Sequence, residues 1–277
     1  MNNNYNSLVI SGGGLKGLSA LGYLQAAINE HAFNLDEIKY YSGTSIGSII
    51  CLLLCCGYTP SELYTKFLST NTLLPINVFS LGVEYGCCSF DIMLKEVQDL
   101  VVEKIGYIPT FYTLFKLTGK SLYMCTCNIT TKKIEYLSYK THPDLNCILG
   151  CKMSSTLPII HFKCELNSNL YIDGGLGNNC PIEPILSEDK PKILVLSLKT
   201  NKTSPEIIDF FAYLKACVSF PLSIIDKYDS KKYEGMNDID IIVLDVKCDD
   251  PLKFTVNKQE KITLFVSGYD YFINNQT

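Results

Sequence analysis

At 277 residues, with 47% hydrophobic and 19% charged side chains, the chain can bury one large core, and its composition is not that of a disordered protein. Its net charge of −4 argues against a nucleic-acid partner and against strong steering to an anionic membrane. The longest apolar run, Ile46 to Gly57, is too short to span a bilayer, and Met1–Asn6 is polar and uncharged, unlike a secretory leader. A cytoplasmic location with at most peripheral membrane contact is therefore expected.

Leu8–Ser11 reads as a short apolar strand. Apolar residues at Leu18, Leu21, Leu24, Ala27 and Ile28 predict a helix, so Gly12–Gly17 is a strand-to-helix loop. Three adjacent glycines let backbone N–H groups converge on an anion without Cβ interference. Lys16, beside the first helical turn, either serves an anion or points into solvent. Gly12, Gly14 and Gly17 also satisfy the dinucleotide fingerprint, and Asp36 and Glu37 follow at the expected distance. Those acids, however, precede the second strand, whereas the ribose-binding acid belongs at its end. The loop is not a P-loop, because Leu18 stands where that motif needs lysine.

Ile38–Ser42 is the second strand, and Ile46–Leu54 reads as a buried helix. Between them Gly43-Thr44-Ser45-Ile46-Gly47 fits a nucleophile elbow, a strained turn that exposes its serine above the sheet beside a helix N-terminus. If the two strands are parallel and joined by one helix, their carboxyl ends lie side by side, and the glycine loop faces Ser45.

Further helices are expected over 60–68, 89–104, 110–118 and 144–153. A hairpin is expected with strands 121–129 and 133–139. The stretch 73–83 is apolar without helical or strand period, which suits either acyl-chain or bilayer contact or a loop folded over the core. Leu170–Ile172 is a strand that runs into Asp173-Gly174-Gly175. Then come a strand at 192–197, a helix over 205–226, a strand at 239–244 and a helix over 257–273. No linker divides the chain, so one domain over 1–277 is expected. The alternation implies an α/β fold, a mostly parallel central sheet with helices on both faces. The thirteen cysteines lack zinc spacing and lie largely in apolar segments, as reduced core thiols do.

A serine nucleophile needs a base. His31, His142 and His161 are the three histidines. A Ser–acid–His triad through Asp91 or Asp99 and then His142 or His161 is formally possible, but Asp91 looks like a helix-start residue, His142 lies in a polar turn and His161 lies among apolar residues. Asp173, at a strand end before a tight glycine turn, is better placed to act directly on the serine hydroxyl.

Taken together, these residues resemble the patatin-like phospholipases. Gly12-Gly13-Gly14-Leu15-Lys16-Gly17 matches that family's oxyanion loop, Gly43–Gly47 its elbow and Asp173-Gly174-Gly175 its acid motif. Ser154–Ile159 resembles its small-residue helix end before a proline turn, and Asn179-Cys180-Pro181 its N-x-P segment. The motifs stand in family order between residue 6 and about 198; beyond 200 there is no family signature. The resemblance implies a three-layer α/β/α fold and hydrolysis of fatty-acyl esters of phospholipids or lysophospholipids. Ser45 would be the nucleophile and Asp173 its base. The N–H groups of Gly13, Gly14 and Leu15, with help from Lys16, would bind the oxyanion. No metal or organic cofactor would be needed. The alternative function is a nucleotide or lipid-headgroup binder that uses the glycine loop without turnover.

Overall fold

The computed structural model describes residues 4–69, 75–200, 207, 209–233, 235–246 and 257–275. In chain order the helices and strands are β1 (Ser7–Ile10), α1 (Gly17–Asn29), β2 (Tyr40–Thr44), α2 (Ile46–Cys55), α3 (Pro60–Ser69), α4 (Leu81–Glu84), β3 (Gly86–Cys88), α5 (Asp91–Ile105), α6 (Phe111–Thr118) and β4 (Ser121–Asn128). They continue as β5 (Lys133–Leu137), α7 (Cys147–Ser155), β6 (Ile159–His161), β7 (Cys164–Leu166), β8 (Asn169–Asp173), α8 (Glu183–Leu186), β9 (Ile193–Thr200), α9 (Phe210–Lys232), β10 (Ile239–Val246) and α10 (Lys258–Asn274).

β1 is buried at every position, as a strand covered on both faces requires. Its side chains alternate between two cores. Leu8 and Ile10 join the large cluster built with Leu21, Leu24, Ile50 and Leu53 from α1 and α2. Val9 faces the other way, into a cluster with Ile185, Val195 and Tyr233. The helix α2 is buried from Gly47 to Cys55, which its unbroken apolar sequence permits. The C-terminal helix α10 lies across α1, with Tyr23 edge-on to Phe272 at 5.2 Å. Gly22 and Gly268 allow that crossing: a Cβ on either would stand under 2 Å from a backbone oxygen of the facing helix.

The main sheet runs β10-β9-β1-β2-β4-β8-β7, with β5 also on β4. The pairings from β10 through β9, β1 and β2 to β4 are parallel. Those of β4 with β5 and β8, and of β7 with β8, are antiparallel. The sheet is thus mixed but mostly parallel, with helices on both faces, as expected from the alternating pattern.

Register at β4 sets the site. β5 occupies one edge of β4 from Met124 to Asn128. The other edge takes β2 as far as Cys125, opposite Thr44, and then β8 from Thr126, opposite Asp173. β2 runs with β4 and β8 runs against it. Their carboxyl ends therefore meet head to head on consecutive β4 residues.

Most elements fall where the sequence places them, and the differences are local. α7 begins at Cys147 rather than 144, because the Asn146 side chain caps it by accepting from Ile148 and Leu149 N–H. α9 extends to Lys232, past the expected end, and residues 205 and 206 lie outside the described residues. β3, β6, β7 and α4, of three or four residues each, carry too little pattern to be read from sequence. Of the 73–83 stretch, Leu73 and Leu74 lie outside the described residues. Phe79 is 96% exposed and Val83 69%, so this is not a loop folded over the core.

Candidate active site

Ser45 sits between β2 and α2 with φ 54° and ψ −125°, a conformation costly for a residue with a Cβ. Packing holds it there. A Cβ on Gly43 would lie 2.4 Å from the Gly47 carbonyl carbon, and one on Gly47 would lie 2.1 Å from the Ile10 oxygen. Only glycine at both positions lets α2 descend so close to β1 and β2. The Ser45 side chain faces the Asp173 carboxylate closely enough to lower its pKa, and Asp173 Oδ1 accepts the Gly175 N–H at 2.8 Å. Asp173 is buried at 3% exposure. Burial pushes its pKa up from 3.8 to about 6, against the opposing pull of Ser45 and Gly175. It therefore stays a carboxylate at neutral pH while holding a proton far better than an exposed aspartate.

The glycine loop lies alongside. A Cβ on Gly12 would stand 3.3 Å from that of Ser45. Gly12 N–H is taken by Asn179, through Oδ1 at 3.1 Å and the main-chain oxygen at 3.2 Å. Gly14 has φ 54° and opens a single 3-10 turn over Gly14–Lys16, which leads into α1 at Gly17. Among the described residues, no protein acceptor meets the N–H groups of Gly13, Gly14 or Leu15. Lys16 does not point into solvent: it is 4% exposed, and its Nζ donates to Leu198 O at 2.9 Å. Gly174, at the start of the turn after Asp173, lies against the Cys125 carbonyl.

The rival bases lie elsewhere. His142 Nε2 lies 3.8 Å from a Glu135 carboxylate oxygen. His161 is buried beside Phe90, where burial lowers its pKa to about 4 and keeps it neutral. His31 is exposed in the turn after α1. Asp91 bonds to Lys152 and Ser89, and Asp99 to Lys95. The surface cavity lined by Asp91, Leu94, Gln98 and Lys152 contains neither Ser45 nor Asp173. All twelve described cysteines are free thiols, and Cys248 lies outside the described residues. Burial pushes the Cys127 thiol, next to Asp173, to about 12, so it is neutral. Among the described residues there is no group of three His, Cys, Asp or Glu able to hold a metal, and no helix is long and apolar enough to cross a membrane.

Supporting residues that single-motif reading does not assign surround the pair. Ser154 Oγ accepts the Ser45 N–H at 3.0 Å. Thr44 Oγ1 donates to Asn178 O, and Ser42 Oγ to Pro181 O, tying β2 to the segment after Asp173. Their signal in the sequence is short polar side chains at otherwise buried positions.

Residues 8–186 match the family described as patatin-like phospholipase. The chain is 37% identical over 185 residues to a probable lipid hydrolase, 463L, of Invertebrate iridescent virus 6, covering 65% of this chain and 62% of that protein. It is 26% identical over 277 residues to the uncharacterized protein R571 of Acanthamoeba polyphaga mimivirus, covering 95% and 90% of the two chains. Among solved structures its fold is similar to VipD of Legionella pneumophila, with a TM-score of 0.59, 15% identity, and coverage of 98% of this chain and 66% of that one. ExoU of Pseudomonas aeruginosa, solved with SpcU, has a TM-score of 0.51, 16% identity, and coverage of 98% and 52%. The chain thus spans less than two thirds of the lipid hydrolase, of VipD and of ExoU. With the family match running through the elbow, the glycine loop and the aspartate turn, this chain belongs to the patatin-like phospholipase family.

Proposed function

We propose that the protein hydrolyses fatty-acyl esters of phospholipids or lysophospholipids through a Ser45–Asp173 dyad and an acyl-enzyme. The observation that carries this reading is the placement of Ser45, in an elbow at φ 54°, against the buried carboxylate of Asp173. Ser45 Oγ attacks the ester carbonyl while Asp173 takes its proton. The oxygen of the tetrahedral intermediate turns toward the N–H groups of Gly13, Gly14 and Leu15, which no acceptor among the described residues occupies. Each such donor typically contributes about 10²–10³ in rate. Asp173 then returns its proton to the departing alcohol. Water attacks the acyl-Ser45 ester, giving a proton to Asp173, and the fatty acid leaves as Ser45 is regenerated. Lys16, buried on Leu198 O, supports this chemistry by bracing the loop from beneath.

Contact with a lipid surface is part of the proposal. Phe79, Val83 and Tyr85 are exposed on the segment before β3, and β3 pairs with β6. α9 buries Leu214 and Val218, the latter in a cluster with Ile160 of β6, while Phe210, Tyr213 and Phe220 stay exposed. Both apolar segments thus adjoin the β3–β6 pair, and Leu222 of α9 reaches Gly175 beside Asp173. Free thiols throughout the described chain support action in the cytoplasm. A fluorophosphonate probe tests the reading: covalent labelling that maps to Ser45 and disappears in Ser45→Ala is expected. Folded protein that resists the probe would favour a headgroup binder without turnover.

A further inference from the structure

We propose that the C-terminal end of α7, Met153 to Thr156, is a positioning bracket that sets the separation of Ser45 and Asp173, with the Ser154 hydroxyl as its critical contact. This deepens the dyad reading and rests on it. The geometry is specific. Ser45 follows the end of β2 and Asp173 ends β8, 128 residues apart in sequence, and the two lie at the junction where β2 and β8 abut. No direct β2–β8 ladder joins them, because the two strands share an edge of β4 end to end. Something else must hold their backbones at a fixed spacing.

The Met153–Thr156 segment touches all the parties. Ser154 Oγ accepts the Ser45 N–H at 3.0 Å and donates to the Cys125 carbonyl at 2.6 Å. Thr156 O accepts the Asp173 N–H at 2.7 Å. Met153 O accepts from Thr126 Oγ1 at 2.8 Å, and Thr126 is the β4 residue opposite Asp173. Both dyad residues therefore hang by their main-chain N–H groups from one short piece of chain. Ser154 is fully buried and Thr156 is 2% exposed, so water does not compete for these bonds. The bracket is stiff at its far end: Pro158 fixes one turn, and Ile159 is held at φ 70°, rare for a β-branched residue.

The next residue supplies an internal control. Ser155 is equally buried, at 3%, but its Oγ has no hydrogen-bond partner among the described residues. Loss of that hydroxyl removes the same atoms from the same turn without touching the dyad.

The test compares Ser154→Ala, Ser154→Thr and Ser155→Ala in the full chain by hydrolysis of a soluble short-chain ester and by amide hydrogen exchange at residues 45 and 173. Ser154→Ala is expected to lower kcat at least about tenfold with KM within about twofold, since misplacing a catalytic group acts on the reaction rather than on binding. It is also expected to lose protection at the Ser45 amide. Ser154→Thr, which keeps the hydroxyl, should recover most of kcat, and Ser155→Ala should stay within about twofold of wild type. Unchanged kcat and unchanged Ser45 protection in a folded Ser154→Ala variant would overturn the proposal, as would an equal loss in Ser155→Ala. If Ser154→Ala does not fold, Ser154→Cys carries the same comparison with a weak acceptor in place, and wild-type kcat there would be equally adverse. Wild-type protein that hydrolyses no ester and takes no label at Ser45 rejects the dyad reading itself. In that case the exchange measurement still decides whether the bracket holds Ser45.

Discussion

The chemistry of Asp173 is decided by its surroundings rather than by its type. A buried carboxylate is costly, and here the Gly175 N–H and the neighbouring Ser45 side chain offset only part of that cost. Since the folded chain binds this proton more tightly than the unfolded chain, the group stabilises the fold most below pH 3.8. That contribution declines as pH rises to about 6. Above that a constant penalty of about 3 kcal/mol remains, set by the shift from 3.8 to about 6. Asp173→Asn should therefore raise stability at pH 8 by about 1–3 kcal/mol in chemical denaturation while abolishing ester hydrolysis. Ser45→Ala should cost about 10⁴-fold or more in kcat with an unchanged circular dichroism spectrum. In the wild type, kcat/KM should fall about tenfold per pH unit below about pH 6, as the base becomes protonated. A flat profile between pH 4 and 7 would assign the base elsewhere.

Among the elements, the junctions matter more than the helices and strands themselves. The elbow depends on α2 starting almost in contact with β1, and Gly47 is the residue that permits this. Gly47→Ala would drive a methyl into the Ile10 carbonyl, so a loss of about 3 kcal/mol or more is expected in denaturant titrations, with activity lost in parallel. A fully active, equally stable Gly47→Ala variant would contradict the close approach. Strand–turn–helix order at residues 8–28 and 38–54 was legible because apolar period and glycine position agree there. β3 and β6 were not, since a three-residue strand shows no period, and the two pair only because the chain brings them together.

At the scale of the whole molecule, the chain beyond residue 200 lies outside the family match at 8–186, yet it adds a strand and helices to the same sheet and core. β10 extends the parallel sheet beyond β9, and α10 covers α1. A single unfolding transition is expected by both tyrosine fluorescence and circular dichroism; two separated transitions would indicate that this part folds alone. The same scale governs access to lipid. Glutamate at Phe79 and Val83 together should reduce hydrolysis of vesicle phospholipid about tenfold and leave a soluble ester unaffected. Unchanged vesicle activity would remove this segment from the docking surface.

The sequence alone determined the candidate reactive groups and their immediate backbone. Glycines flanking Ser45 and following Asp173 encode local turns, and local turns depend on neighbours in the chain. It favoured Asp173 over a histidine as the partner of the serine without placing the two together, and it left open whether Lys16 faced an anion or water and whether the 73–83 stretch was covered. Those questions turned on register and burial: β2 and β8 meeting end to end along β4, the ammonium tied to Leu198, and Phe79 in solvent. Contacts between residues more than a hundred positions apart depend on how the whole sheet assembles, and no short window of sequence carries that information.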